Sequence, residues 1–120
     1  MISRLHRFHG YGSLRYVYQN GKTVRGQLIT LKFSTNPKRD SYRLAVVVSK
    51  KVNKSAVVRN RIRRRLYEAF RAHEAEMIGV YDIVCTVFGE QIVDMPAPEL
   101  KKLVRSQLSQ AGILSAKRSS

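Results

Sequence analysis

The stretch VRNRIRRRLYEAFR at residues 58–71 decides the fold class, because it joins a helical apolar stripe to a dense row of arginines. At about 100° per residue, one arc roughly 120° wide collects the apolar side chains of this stretch and of the residues that follow it. The members of this arc are Val58, Ile62, Leu66, Ala69, Phe70, His73 and Met77. We therefore predict a long amphipathic helix with one side packed on a core and the other side in solvent.

Capping residues predict where the helices begin and end. Asn53 or Ser55 can cap the long helix, which we expect to run to about residue 78 and to stop at Gly79. A short aromatic helix is predicted over residues 13–20, and a last helix over residues 99–111. The chain therefore carries three helices.

Strand patterns fill the intervals between the predicted helices. Residues 23–33 alternate polar and apolar side chains, and residues 42–48 are apolar enough to be covered on both faces of a sheet. Residues 36–40 supply a turn between them, and residues 81–88 form a further strand. The order αββαβα indicates an α+β fold, a compact two-layer sandwich with the helices on one side of a small sheet.

Length and composition favour one small domain. A chain of 120 residues that is 43% apolar fits a single core, which we expect within residues 13–114. Residues 1–12 are expected to form a flexible basic arm, and residues 115–120 a frayed tail. Cys85 is alone, which excludes an internal disulfide, and we expect it to be buried. Since no run approaches the roughly 20 apolar residues of a membrane span, we expect a cytoplasmic protein without a membrane partner.

The positive charge of the chain is concentrated rather than spread. The formal net charge is +15, and the segment 43–71 holds ten basic residues against the single acid Glu68. Arginine, which dominates this segment, binds phosphate in a bidentate way and stacks on bases. A solvated helix face is the competing interpretation, but such faces usually interleave glutamate for pairing one turn apart. The pattern therefore favours a polyphosphate partner.

Catalytic groups are scarce in this sequence. His6 and His9 could serve as acid and base of a ribonuclease or as metal ligands, yet no carboxylate lies close by to orient them. His73 falls on the core face of the long helix and is expected to be a packing residue. We predict no catalytic residue and no metal site in the chain, so another molecule would have to supply a reactive centre.

The nucleic acid predicted from these features is RNA. The sequence lacks the paired-helix turn, the zinc finger and the zipper of common DNA-binding proteins. Tyr11, Tyr16 and Tyr18 could stack unpaired bases, although each could equally pack in the core.

Three segments resemble the signature of the bacterial ribonuclease P protein subunit: VVVSKK at 46–51, AVVRNRIRR at 56–64 and EAFR at 68–71. The resemblance extends more weakly to residues 16–21 and 81–84. It implies a fold like that of ribosomal protein S5 domain 2, with a left-handed βαβ crossover. It also implies a small basic protein that joins one catalytic RNA, in a 1:1 complex, to remove 5′ leaders from precursor tRNA. Mg²⁺ would be bound mainly by the RNA, and none tightly by the protein alone.

The resemblance also implies two sets of site residues. The set that would bind the catalytic RNA is Ser49, Lys50, Lys51, Arg59, Asn60, Arg61, Arg63, Arg64, Arg65, Tyr67 and Arg71. The set that would form the leader-binding cleft is Leu14, Tyr18, Lys32, Arg59, Asn60, Arg63 and Tyr67. Leu14 and Lys32 stand where the family often has aromatic residues, and Tyr67 where a basic residue is common. Phe88 and Gly89 replace the usual basic exit from the last strand.

Two other functions stay open on the residues alone. One is a stand-alone RNA-binding protein such as a ribosomal component, and the other is a self-sufficient nuclease acting through His6 and His9. Reconstituted cleavage of a precursor tRNA would separate them from a protein that assists a catalytic RNA.

Overall fold

A computed structural model describes residues 11–35 and 42–114 of the chain, with side chains from residue 16 onward. Two 3₁₀ turns, Glu74–Glu76 and Glu90–Val93, interrupt an otherwise regular set of helices and strands. In chain order these are α1 (Tyr11–Asn20), β1 (Lys22–Arg25), β2 (Ile29–Thr35), β3 (Arg43–Val47), α2 (Ala56–Arg71), β4 (Tyr81–Val87) and α3 (Ala97–Gln110).

The four strands form one mixed sheet in the order β1-β2-β4-β3. β2 pairs with β1 and with β4 in antiparallel fashion, whereas β3 and β4 are parallel neighbours. A parallel pair needs a crossover connection, and α2 supplies it. The α+β class is therefore confirmed, together with a strand-helix-strand unit around α2. The handedness of that crossover stays a prediction.

The main core lies between the sheet and the pair α2 and α3. Ile62, Leu66 and Phe70 of α2 are fully buried against it, as the helical arc predicts, and Val104 and Leu108 of α3 are buried beside them. Burial of large apolar side chains is worth about 1.5–3 kcal/mol each. The predicted apolar stripe of the long helix is thus a substantial part of the main core.

The opposite face of the sheet carries α1. Val17 of α1 packs with Ala45 of β3 and Val84 of β4, whose side chains point away from the main core because neighbours on a strand alternate. The expectation that all helices lie on one side of the sheet is therefore wrong. β3 and β4 are apolar on both faces, and α1 covers the second one.

The predicted single strand over residues 23–33 is a hairpin of β1 and β2. The chain turns at Gly26, where an added Cβ would collide with Oε1 of Gln107 and lie 2.8 Å from the Ile29 carbonyl oxygen. Nε2 of Gln107, on α3, donates to the Val24 carbonyl oxygen at 3.2 Å. A glycine within an alternating pattern was the signal for this turn.

The helix α2 ends at Arg71 rather than near residue 78. His73 is buried, with Nε2 3.1 Å from the Lys101 carbonyl oxygen, and Tyr42 donates its hydroxyl to Glu74 at 2.8 Å. The Ile78 amide then donates to the Ile113 carbonyl oxygen at 2.7 Å. These contacts with distant parts of the chain override the local helix propensity of residues 72–78.

The remaining boundaries agree closely with the predictions. α1 begins at Tyr11, two residues before the predicted start of the short helix. Gly79 and Gly112 adopt φ of +83° and +77°, which only glycine accepts easily. Gly112 follows the end of α3 as expected, whereas the expectation that Gly79 stops the long helix is wrong, because α2 ends at Arg71. The predicted arm up to residue 10, the turn at 36–40 and the tail at 115–120 lie outside the described residues. Within the described ranges, no helix is long and apolar enough to cross a membrane.

Candidate RNA-binding surface

The loop before α2 is held by a chain of side-chain hydrogen bonds. Ser55 caps the helix by accepting from the Val58 amide at 3.3 Å, and the Ser55 amide donates to Oδ1 of Asn53 at 2.8 Å. Nδ2 of Asn53 donates in turn to Oε1 of Glu90, also at 2.8 Å. The choice of Ser55 over Asn53 as the cap is settled, and the start of α2 is tied to the segment that leaves β4.

Arg59 is part of this internal network. Its Nη1 donates to the carbonyl oxygens of Asn53 at 3.0 Å and Lys54 at 2.9 Å. Neither acceptor belongs to a helix or a strand, so the guanidinium group satisfies oxygens that would otherwise need water. Substituting Arg59 would therefore disturb the loop as well as any contact with RNA.

Asn60 and Arg63 form an exposed pair on the solvent side of α2. Nη2 of Arg63 donates to Oδ1 of Asn60 at 2.6 Å, one helical turn away. This contact restrains the long arginine side chain. A restrained guanidinium group loses less conformational freedom when it binds phosphate.

Arg61 and Arg64 present the freest cations of the helix. Both side chains are exposed, and neither makes a hydrogen bond or an ion pair with any residue in the described part of the chain. Arg71, at the end of the helix, is exposed too but lies 3.4 Å from Glu68. Exposed ion pairs of this kind contribute at most about 1 kcal/mol, so a phosphate could compete for Arg71.

Arg65 does not belong to this exposed set, because it is half-buried and its guanidinium group is engaged within the fold. Its part in RNA binding stays a prediction. Its Nη1 donates to the carbonyl oxygens of Ile92 at 2.6 Å and Val93 at 3.1 Å, and its Nη2 donates to that of Met95. Three carbonyls of one segment therefore surround one guanidinium group. Arg65 fastens α2 to the 3₁₀ turn after β4 rather than facing a partner.

Tyr67 is also misplaced by the sequence prediction. Its side chain is only 8% exposed and packs in the main core, so the buried arc of α2 is wider than the apolar residues alone indicate. The ring contributes its apolar body to the core. Because this core lies on the opposite face of the sheet from α1, Tyr67 does not join Tyr18 in one cleft.

The residues that follow β3 add cations next to the start of α2. Ser49, Lys50 and Lys51 are all exposed, and the turn is held by the Lys51 amide donating to Oγ of Ser49 at 3.3 Å. Together with the exposed Asn60, Arg61 and Arg64 and the half-buried Arg63 of α2, they form what we call the basic ridge. Its members are Ser49, Lys50, Lys51, Asn60, Arg61, Arg63 and Arg64.

The face of the sheet that carries α1 brings together two residues of the predicted cleft. Tyr18 is 42% exposed, and Nζ of Lys32 lies 5.8 Å from the centre of its ring and 3.3 Å from its carbonyl oxygen. A lysine over a tyrosine ring is held by a cation–π interaction. The pair offers an aromatic surface and a positive charge on one exposed face. The side chain of Leu14 lies outside the described residues.

Asp82 and Cys85 are buried inside the fold. Arg43 makes a bidentate pair with Asp82 at 2.9 and 2.8 Å, and the hydrogen bond from this carboxylate raises the pKa of Arg43. Burial raises the pKa of the Cys85 thiol, as expected for a small core residue. The structural roles of Asn53 and Arg65 were missed because their acceptors are far away in sequence.

Comparison with known proteins agrees with this arrangement. The family model described as Ribonuclease P matches residues 2–112. The ribonuclease P protein component of Caldanaerobacter subterraneus subsp. tengcongensis is 32% identical over 117 residues, covering 98% of each chain. That of Roseiflexus sp. (strain RS-1) is 31% identical over 115 residues, covering 96% of this chain and 93% of the other.

A solved structure supports the fold independently. The RNase P protein of Staphylococcus aureus superimposes with a TM-score of 0.79 at 24% identity, covering 92% of this chain and 98% of that one. The chain that carries this sheet, these helices and this basic surface thus matches one family over residues 2–112. The chain belongs to the ribonuclease P protein family, as the protein component that works with ribonuclease P RNA in this tRNA-processing endoribonuclease.

Proposed function

We propose that the basic ridge is the surface that docks on the catalytic RNA, in a complex of one protein and one RNA. The observation that carries this proposal is the exposure of Arg61 and Arg64 without partners among the described residues. Their helix is fixed at its start by the Asn53 and Ser55 bonds and along its length by Arg65. Free cations on an immobile support lose little entropy when phosphates bind.

We further propose that the exposed face beside α1 holds the 5′ leader of the precursor tRNA. Tyr18 can stack an unpaired base, and Lys32 can neutralise a neighbouring phosphate. This face and the basic ridge belong to different layers of the fold. The protein can therefore contact its RNA partner with one surface and its substrate with another.

The chemistry of the reaction is assigned to the RNA in this proposal. Mg²⁺ would be bound mainly there, because three carboxylates of the protein are already engaged by arginines: Asp82 by Arg43, Glu76 by Arg105 and Glu68 by Arg71. The protein's own contribution is to bind and position RNA. We expect this activity in the cytoplasm.

Reconstituted cleavage tests the proposal. At low Mg²⁺, cleavage of a precursor tRNA should require both the chain and the RNA, and should weaken roughly tenfold with Arg61→Ala plus Arg64→Ala. A control that removes the same charge elsewhere, Lys22→Ala plus Lys102→Ala, should cleave like the original chain, since both lysines are exposed outside the basic ridge. Equal loss in both variants would contradict a localised docking surface.

A second arm addresses the histidines of the N-terminal segment. His6→Ala with His9→Ala should leave reconstituted cleavage intact, since the proposal gives these residues no part in the reaction. Cleavage by the chain without RNA, abolished by the same substitutions, would instead establish a protein nuclease.

A further inference from the structure

Phe88 is a large apolar side chain that the fold leaves in solvent. It follows β4 directly and is 58% exposed, although Val87 beside it is buried in the main core. The Phe88 amide donates to the Leu28 carbonyl oxygen at 2.7 Å, which continues the pairing of β2 with β4 by one step. The backbone at Phe88 is therefore fixed, and the exposure of the ring is a property of the folded chain.

The next residue makes this position still more rigid. A Cβ at Gly89 would lie 2.5 Å from Cδ2 of Leu28, so a larger residue there would require the end of the Leu28 side chain to move. Glu90 then accepts from Asn53, which ties the segment to the loop before α2. The ring of Phe88 is thus presented from a segment anchored on both sides.

Strand alternation gives the face on which the ring lies. By continuing this alternation one residue past the end of β4, we infer that Phe88 lies on the side of Thr86 and Val84, opposite to Val87. This is the face that α1 covers in part. Four residues along an extended strand span about 13 Å, which separates Phe88 from Val84 and from its neighbour Lys32. Phe88 therefore extends the Tyr18 and Lys32 face at a distance suited to a different nucleotide.

Exposed cations lie on both sides of β4 in the order of the sheet. Arg25 is exposed on the same row of the sheet as Thr30 and Thr86, two residues before Phe88. On the other side, β3 ends beside Thr86, and the exposed Lys50 and Lys51 follow it. An exposed aromatic ring between cations suits a nucleotide, whose base stacks while its phosphates are neutralised.

We propose that Phe88 is a stacking platform for an unpaired base of the precursor's 5′ leader. This inference rests on the proposed leader face and adds to it a further binding residue at its far end. Any base can stack on the ring, but a base must be present. A leader with a base at one defined position should therefore bind more tightly than a leader with an abasic site at that position. A duplex, whose bases are already stacked on each other, should gain nothing from Phe88.

The sequence provides a clean spectroscopic test, because it contains no tryptophan. In the holoenzyme reconstituted with the Phe88→Trp variant, the fluorescence of the introduced tryptophan should be quenched when precursor tRNA binds. It should not be quenched when mature tRNA binds. An abasic site at one leader position should remove the quenching, while abasic sites at other positions should not. Val57→Trp, at a site 76% exposed on α2, is the matched control and should not respond to the leader.

Binding measurements complete the test. Phe88→Ala and Phe88→Leu should each weaken precursor binding about tenfold and leave mature tRNA binding unchanged, whereas Phe88→Trp should retain the affinity. A Phe88→Leu variant that binds precursor like the original chain would overturn the proposal, since leucine keeps the apolar surface without the aromatic face. Quenching by the catalytic RNA alone would overturn the assignment to the leader.

These outcomes are distinct from a failure of the proposed function. If the original chain did not stimulate cleavage in the same reconstitution, the proposed docking would be wrong. If it did stimulate cleavage but the Phe88 variants bound precursor equally well, only the stacking inference would fail. Equal melting temperatures of the variants would show that the exposed position does not affect folding.

Discussion

Arg61 and Arg65 lie one turn apart on the same flank of α2, yet the fold uses them in opposite ways. Arg65 donates to three carbonyl oxygens of residues 92–95, whereas Arg61 is exposed and has no partner among the residues that the structure describes. Charge density along a helix therefore marks a binding surface only in part. Some of the arginines in such a run hold the surface in place, and others are left for the partner.

The largest effect should follow the loss of Arg65. Arg65→Ala removes the donor of three carbonyl oxygens, and we expect the free energy of unfolding to fall by about 3 kcal/mol. Arg61→Ala should change it by less than about 0.5 kcal/mol, as surface substitutions usually do. Urea unfolding of both variants measures the difference. Similar losses of unfolding free energy in the two variants would contradict the different roles of Arg61 and Arg65.

The exposed arginines should contribute to RNA affinity rather than to folding stability. With Arg61→Ala plus Arg64→Ala, affinity for the catalytic RNA should fall roughly tenfold, and the slope of log affinity against log salt should become shallower by about 2. The slope changes because a protein that lacks one phosphate-binding cation displaces about one counterion fewer from the RNA when it binds. A titration at several salt concentrations gives the slope. An unchanged slope would show that these residues do not meet phosphate.

Cys85 is buried in the main core, so ionisation of its thiol reports whether that core is exposed to solvent. Burial raises the pKa of its thiol, so the folded protein keeps the thiol neutral while the unfolded chain ionises near pH 8.5. Stability should therefore be full below that value and decrease above it, by about 1.4 kcal/mol at pH 9.5. Cys85→Ala should lack this decrease in urea unfolding between pH 7.5 and 9.5. The same decrease in Cys85→Ala would assign it to another group.

The smallest effect should come from Lys32. Lys32→Met removes the cation over the Tyr18 ring and should lower the free energy of unfolding by about 0.5 kcal/mol. The Lys32→Met substitution should also weaken the binding of precursor tRNA more than the binding of mature tRNA. Competition binding with the two RNAs checks this. Equal weakening of both would show that Lys32 does not contact the leader.

Periodicity was sufficient to predict the core side of α2. Ile62, Leu66 and Phe70 are buried because hydrophobic spacing is a local property that any packing partner can use. The same reasoning could not locate the end of this helix. That end depends on Ile78 and its partner Ile113, which are 35 residues apart.

The candidate site was predictable to a similar extent. Lys50, Arg61 and Arg64 are exposed as the charge pattern indicates. Arg65 and Tyr67 are not available, because their roles are decided by the turn after β4 and by the width of the core. Those partners meet α2 only in the folded chain, so neither residue could be assigned from its position on a helical wheel.

The most direct test of the docking surface uses a cleavage reagent placed on single cysteines. Because Cys85 is buried, an iron chelate should attach only to an introduced cysteine, such as Arg64→Cys on the basic ridge or Lys102→Cys on α3. In the reconstituted complex, radicals generated at position 64 should cut the catalytic RNA strongly in a narrow region, and those generated at position 102 should cut it weakly or not at all. Equal cutting from both positions, or cutting from position 102 alone, would contradict the assignment of the basic ridge as the RNA-docking surface.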